Sequence, residues 1–390
     1  MLRETLSLLR INERREFSLY EQMKLRMNLD ILVVGGGPSG AACATVLARG
    51  GARVAVVESG DFNRFRIGET IHATTRPLLA RLGCPMPAND NCALPSLGVA
   101  SAWGDSRVEV RPSIMNPYGR GWRVERRTFD KRLFENSGDA GAALFTKSRV
   151  EEVRRDAGKW TFSIVSDGKI LPGTAPFVVE ATGRNGKSKF APNARRHWGD
   201  RLVGLAIFSK DYRPVTSRFA DSALVESTPL GWWYSVLLPD QGTLGVFFTD
   251  GDLLPRNRAQ VGLFLQGQIQ ETEHTRDHCP ILENGPYRWK AFNARSGIRR
   301  LAVADGWVAI GDALMAFDPL SGLGVTEAIS SGISAAEWWQ SLQSPRIEGI
   351  PFWVEQVSER FNEYLKARLL TYSSEKRWPD SPFWRRRQRH

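Results

Sequence analysis

The chain has 390 residues, room for two or three domains at ~150 residues each, and 42% of them are hydrophobic. That balance excludes a disordered tail protein, a collagen and a small disulfide scaffold. The net charge is +11, and 42 of the 53 basic residues are arginine, which suits planar recognition of phosphate or carboxylate and an acidic partner.

Residues 1–28 read as an N-terminal extension. Arg3, Glu4, Arg10, Glu13, Arg14, Arg15 and Glu16 interrupt any apolar core, so it is not a signal peptide. It reads either as a short amphipathic helix or as sequence upstream of a start at Met27. Leu29–Val34 is a short apolar run, the pattern of a buried parallel strand. Gly35 to Gly40 follow, then a helix over Ala41–Ala48 stopped by Gly50-Gly51, then a strand over Arg53–Glu58. This is a β-α-β unit. Residues 60–90 read as irregular and helical, 95–125 as short strands, and 128–138 as a helix. Phe177–Ala181 is another buried strand. Residues 202–250 are β-rich, 257–275 helical, and Trp307–Ile310 is a last buried strand before a helix over Thr326–Ser341. Residues 351–374 form a long amphipathic helix; the end from Arg377 to His390 is basic and aromatic, and its basic tail, Arg385-Arg386-Arg387-Gln388-Arg389, reads as a solvated terminus or a docking patch.

Cys43, Cys84, Cys92 and Cys279 form no C-x-x-C and have no partner at zinc spacing. They read as reduced thiols of a cytoplasmic protein, with no metal. No apolar run nears the ~20 residues of a membrane span, so no membrane is expected. No recognisable nucleic-acid module accompanies the basic tail, so no nucleic acid is expected either.

The chemistry sits in two glycine-rich turns. Gly35, Gly37 and Gly40 form G-x-G-x-x-G between a strand and a helix, where Gly35 allows a tight turn, Gly37 a close pyrophosphate, and Gly40 helix–strand packing. Pro38 and Ser39 complete the turn, and the helix N-terminus offers free N–H groups to an anion. Glu58, 18 residues after Gly40, ends the next strand and can accept hydrogen bonds from a ribose diol; Ser59 follows it. Gly311-Asp312 ends a distant strand, placing a carboxylate for a polyol chain, which favours FAD over NAD. Gly322, Leu323 and Gly324 lie in a loop opening a helix, whose N–H groups suit the electron-rich edge of an isoalloxazine.

In combination these residues resemble the FAD-dependent monooxygenase and halogenase superfamily. Arg66-Ile67-Gly68-Glu69 and Glu180-Ala181-Thr182-Gly183-Arg184 add to the match, which spans residues 29 to about 335. The resemblance implies that Gly35, Gly37, Gly40 and Glu58 hold the ADP half of FAD and that Gly311 and Asp312 hold the pyrophosphate and ribityl. It also implies that Arg66, Gly68 and Arg126 contact the cofactor. The family's halogenases use a relay lysine and a W-x-W-x-I-P segment. Here no lysine lies between Lys24 and Lys131, and the matching segment is Gly231-Trp232-Trp233-Tyr234 with no Ile-Pro. Direct oxygen transfer from a flavin C4a-hydroperoxide is therefore expected, rather than halogenation.

Gly121-Trp122-Arg123-Val124-Glu125-Arg126, the Trp232-Trp233-Tyr234 segment, and Arg377-Trp378-Pro379-Asp380-Ser381-Pro382-Phe383-Trp384-Arg385-Arg386-Arg387 resemble a narrower branch. It comprises the flavoprotein maturases of the tryptophylquinone enzymes: lysine oxidase, glycine oxidase and quinohemoprotein amine dehydrogenase. The resemblance implies hydroxylation of a peptidyl tryptophan in a precursor polypeptide, expected to be acidic. His72, Glu69 and Asp318 are the catalytic candidates, and Trp232, Trp233 and Tyr234 the candidate wall for the indole. Electrons come from NAD(P)H or an external flavin reductase.

The expected fold is α/β: a Rossmann-like FAD-binding domain of the aromatic-hydroxylase type, a β-sheet (α+β) substrate domain and C-terminal helices. The FAD domain takes residues 29–94, 126–190 and 296–345; the substrate domain 95–125 and 191–295; the C-terminal helical region 346–390. Alternative readings are a hydroxylase of small aromatics, a halogenase, a reductase of isoprenoid double bonds and a non-catalytic flavin-binding chaperone.

Overall fold

The computed structural model describes residues 26–86, 92–112, 116–209, 219–240, 242–279, 288–342 and 352–388. Most of the N-terminal extension, Arg389 and His390 lie outside these residues. The helices are α1 (Pro38–Arg49), α2 (Arg76–Arg81), α3 (Arg126–Asp139), α4 (Arg258–Gln270), α5 (Thr275–His278), α6 (Gly324–Leu342), α7 (Phe352–Ser374) and α8 (Pro382–Gln388).

A six-stranded sheet carries the order Val303–Ala304, Trp307–Ala309, Phe177–Glu180, Ile31–Val34, Val54–Val57, Ala143–Phe145. All its pairings are parallel except that between the first two strands. The apolar runs have no polar face because both sides are covered. Ile31, Val33, Val56 and Val179 meet Cys43, Ala44 and Leu47 of α1, Phe134 of α3 and Ala335 and Ala336 of α6. Leu32, Ala55, Val57 and Val178 meet Val150, Trp160, Phe162 and Ile164 of an antiparallel meander over Arg149–Asp156, Lys159–Ser166 and Lys169–Ala175. Met27-Asn28 joins the edge of that meander, paired with Gly173 and Thr174.

Helix α1 begins three residues before its expected start because Pro38, at its first turn, presets the helical φ. Helix α3 begins at Arg126 rather than 128, since the Glu125 carboxylate accepts from Arg127 N and Thr128 N as its cap.

The second large sheet has seven strands, in the order Trp289–Asn293, Leu202–Ser209, Thr243–Asp250, Gly231–Leu237, Ala223–Thr228, Gly98–Ala102, Val108–Pro112. Period-two alternation sends Leu205, Ile207, Trp233 and Phe247 against Val261, Leu265 and Ile269 of α4. It sends Ala206, Trp232, Val246 and Phe248 against Tyr372, Phe383 and Trp384.

The basic end is neither a loose tail nor a free patch. Within α8, Phe383 and Trp384 are fully buried, and Trp384 Nε1 donates to Thr228 O at 2.9 Å. Arg387 forks onto Asp250, 2.6 Å to Oδ1 and 3.1 Å to Oδ2, and Arg386 reaches Asp250 and Asp252. Among the described residues Arg385 alone of these three arginines has no ion pair with a carboxylate, and it is exposed.

Arg387→Met should destabilise the chain by ~3 kcal/mol, the low end for breaking a buried pair, because Arg386 still faces Asp250. Arg385→Met should change stability by no more than ~0.5 kcal/mol. Urea unfolding of the two variants checks this.

Candidate functional site

The turn after the first parallel strand is built by contact, not by preference alone. Gly35 has φ +109°, and a Cβ on it would lie 2.2 Å from Ala181 O; one on Gly40 would lie 1.9 Å from Gly35 O. Gly37 differs: a Cβ there meets nothing nearer than Arg66 Nη1 at 3.6 Å. Gly37 therefore opens a cradle. It is also the N-cap of α1, with no side chain capping the helix and no acidic residue in its first turn. The free donors and the dipole end point into that cradle.

Glu58, 7% exposed, stands beside it. Its Oε2 accepts from Gly36 N and its Oε1 from Gly60 N, both at 2.8 Å, and Ser59 Oγ lies 3.4 Å from Oε1. A carboxylate has about four lone-pair sites, so acceptor capacity is left for a diol. Arg66 donates to Asp130 Oδ2 at 3.1 Å, with its other Nη 3.7 Å from Glu58, and supplies a cation beside Gly37.

The second turn closes from the far end of the chain. Gly311 has φ +55°, and a Cβ on it would lie 2.6 Å from Ser39 Oγ. Its N–H donates to Ser331 Oγ at 2.9 Å. Asp312 remains about a third exposed (32%), held by Arg184 Nε at 3.3 Å from its Oδ2. A helix N-terminus with an open cradle, a ribose-facing carboxylate and an exposed aspartate on the second turn together form a donor set that fits FAD.

Comparison with known proteins agrees. The FAD binding domain family matches residues 28–219. The chain is a flavin-dependent oxidoreductase. Over 362 residues it is 27% identical to LodB of Marinomonas mediterranea, assigned as an FAD-dependent oxidoreductase, covering 92% of this chain and 96% of LodB. Among solved structures it is similar to the peptidyl tryptophan dihydroxylase QhpG, essential for tryptophylquinone cofactor biogenesis, with TM-score 0.73 and 26% identity over 93% of this chain and 79% of QhpG. It is also similar to the flavin-dependent halogenase CmlS, with TM-score 0.82 over 94% of this chain and 68% of CmlS; at 21% identity that likeness concerns the fold.

In this flavoprotein Arg126 is turned inward. It forks onto Asp130, at 2.9 and 3.0 Å, and donates to Ile67 O. A Cβ on Gly68, where φ is +109°, would lie 2.6 Å from Arg126 Nη1. Arg126 thus shapes the Arg66–Glu69 turn. Asp130, fully buried, was not among the sequence candidates, nor was Arg184. The signal for Asp130 was its i,i+4 spacing from Arg126 on one helix.

The turn beyond Gly68 lies against the start of α6. Val325 reaches 3.7 Å from the Cβ position of Gly68, Thr75 Oγ1 bonds Thr326 Oγ1 at 2.7 Å, and the His72 ring lies 3.6 Å from the Cβ position of Gly322. Gly322 has φ +64°, so the loop through Leu323 to Gly324 needs a glycine there. His72 thereby comes to the loop expected to face the flavin, and Glu69 follows Gly68 in the turn packed against Val325. Glu69 is 1% exposed; its Oε2 accepts Gly68 N at 2.8 Å, while its Oε1 has no hydrogen-bond partner. Burial raises its carboxyl pKa to about 7. Burial lowers that of His72.

Asp318 lies at the other end of the loop with every oxygen engaged. Oδ1 accepts from Leu320 N at 3.0 Å, and Oδ2 from Tyr372 OH at 2.9 Å and Arg368 Nε at 3.1 Å. The candidate indole wall requires a correction. Trp232 and Trp233 do alternate faces, but both faces of their sheet are covered, and the two rings are 1% and 0% exposed. Trp232 stacks on Phe248 at 4.1 Å, and Trp233 Nε1 donates to Gln268 O at 3.2 Å. Tyr234 alone of the three is partly open, its hydroxyl 2.8 Å from Thr70 Oγ1, next to Glu69 in the chain.

Gly37→Val should fold, because the Cβ position is open and φ is −69°, yet bind FAD more than ~10-fold weaker, since the added atoms occupy the anion's place. Gly40→Ala should fail to fold. Fluorescence titration of apoprotein with FAD, beside thermal unfolding, separates the two. For Glu69 the folded pKa lies above the unfolded value of 4.5, so its native proton is lost, with stability, as pH rises from 4.5 towards about 7. Glu69→Gln should therefore melt a few degrees above the parent at pH 8, and the gain should shrink at pH 5.

Proposed function

We propose that this flavoprotein hydroxylates the indole ring of a tryptophan within an acidic precursor polypeptide, as a step in making a tryptophylquinone cofactor. The observation that carries the reading is the similarity to QhpG over 93% of the chain, alongside the similarity to LodB across 96% of LodB. The absence of lysine between Lys24 and Lys131 supports oxygen transfer over halogenation.

Bound and reduced FAD supplies activated oxygen; the reductant is NAD(P)H or a separate flavin reductase. Gly35, Gly37, Pro38, Ser39, Gly40, Glu58, Ser59 and Arg66 hold the ADP half. Gly311 and Asp312, steadied by Arg184, hold the ribityl side, while Gly322, Leu323 and Gly324 present N–H groups to the ring edge. Hydroxylation replaces a ring C–H by C–OH, and the displaced proton needs an acceptor. Glu69 Oε1, which has no partner, and the His72 ring are the groups that take it, since Asp318 is buried and tied to Arg368, Tyr372 and Leu320 N. Burial keeps His72 neutral and able to accept. Tyr234 OH, bonded to Thr70, orients the substrate edge. The net charge of +11 favours encounter with an acidic chain and makes its affinity fall with added salt.

The test is the intact mass of a tryptophan-containing precursor after incubation with the protein, FAD, a reductant and O2. Gain of one or two oxygen atoms on tryptophan is the expected result. An unmodified precursor, with reductant consumed and peroxide released, would overturn the polypeptide substrate and leave hydroxylation of a small aromatic. Incorporation of halide in its presence would overturn oxygen transfer.

A further inference from the structure

The Arg377–Arg387 segment has no part in the proposed chemistry, yet its side chains are tied to the body of the protein by several hydrogen bonds and ion pairs. Glu375, fully buried, accepts from Arg377 Nη2 at 2.7 Å, Ser227 Oγ at 2.6 Å and Gly104 N at 2.9 Å. Trp384 and Arg387 pin α8 to Thr228 and Asp250, and Trp103 Nε1 donates to Thr371 O at 2.8 Å. These bonds fix the C-terminal end of α7 on the seven-stranded sheet, and with it the height of every side chain along that helix.

Three of those side chains, Tyr364, Arg368 and Tyr372, recur every four residues and so share one face. All three converge on Asp318. Tyr364 OH accepts from Asp318 N at 2.8 Å, and its ring lies 4.6 Å from that of Phe317. Arg368 bridges Asp318 and Asp200, at 3.1 Å each. Tyr372 OH donates to Asp318 Oδ2 and accepts from Trp232 Nε1 at 3.1 Å. Asp318 then passes the constraint on, for its Oδ1 holds Leu320 N at the head of the loop that reaches Gly322 and the start of α6.

We infer that Tyr364, Arg368 and Tyr372 are positioning residues which, through Asp318, fix the Leu320–Gly324 loop for the isoalloxazine, and that the Arg377–Arg387 segment is the clamp that sets their height. The inference rests on FAD binding and is independent of the substrate. It gives the arginine- and tryptophan-rich C-terminal motif a role in cofactor geometry.

The experiment compares full-length Tyr372→Phe and Tyr364→Phe with Thr371→Ala, a change on the exposed face of the same helix. Three quantities are read: FAD affinity of the apoprotein, the midpoint potential of bound FAD, and hydrogen exchange of the amides of residues 320–324. Losing the Tyr372 hydroxyl should weaken FAD roughly tenfold, lower the potential and speed loop exchange by a similar factor. Tyr364→Phe should act in the same direction, and Thr371→Ala should match the parent. A folded Tyr372→Phe protein with parental affinity, potential and loop exchange would overturn the inference. If that variant does not fold, the same parental result in Tyr364→Phe overturns it. A purely structural helix would lower the melting temperature of both variants and leave the potential unmoved.

Discussion

The cofactor site depends on how closely two distant pieces of chain can approach at Ser39. A Cβ on Gly332 would lie 2.2 Å from Ser39 O, and one on Gly311 would lie 2.6 Å from Ser39 Oγ. Only because both are glycine can α6 and the Gly311 turn sit against the first turn of α1. One half of the FAD cradle comes from residues 35–58 and the other from 311–324. Without that contact each half is a glycine turn facing solvent. The alanine-rich composition of α1 and the buried Ala335 and Ala336 of α6 extend the same close approach along both helices.

Around this contact the polar interior follows one rule: a buried carboxylate is met by an arginine or by backbone N–H groups. Asp130 takes Arg126, Glu180 takes Arg299 at 2.9 Å, Asp250 takes Arg387, and Asp318 takes Arg368. Glu226 takes the N–H groups at the start of α5. The planar fork of a guanidinium meets both oxygens of a carboxylate with two parallel N–H bonds, a geometry an ammonium does not present. Part of the arginine bias is therefore explained inside the protein.

Signals carried by neighbours in sequence were legible, and those set by the packing of distant elements were not. The parallel strands announce themselves as apolar runs, and the cradle as glycines at fixed spacing; both are local. The alternation of Trp232 and Trp233 was equally readable. That each face would be covered, by α4 on one side and α8 on the other, is fixed by helices that lie further along the chain. The tail shows the same limit. Arg386 and Arg387 read as surface charge until Asp250 and Asp252 are brought to them from the sheet. Asp318 read as a candidate base because its loop was recognised, whereas its three partners on α7 lie at least 46 residues away.

Against this background Glu69 is the exception. Its Oε1 is the one carboxylate oxygen, among the described residues, that is buried with no hydrogen-bond partner. A fold that satisfies its other buried acids has a cation close to this one, for Arg126 lies near enough to act on it electrostatically. Instead Arg126 is committed to Asp130 and to Ile67 O, and Glu69 keeps a carboxyl that holds its proton up to about pH 7. An unsatisfied buried oxygen costs stability wherever it occurs. On the proposed function it also provides what ring hydroxylation needs, an acceptor whose proton affinity is matched to neutral pH. The cost in folding and the benefit in chemistry fall on the same atom, which is the physical reason to place the proton transfer there.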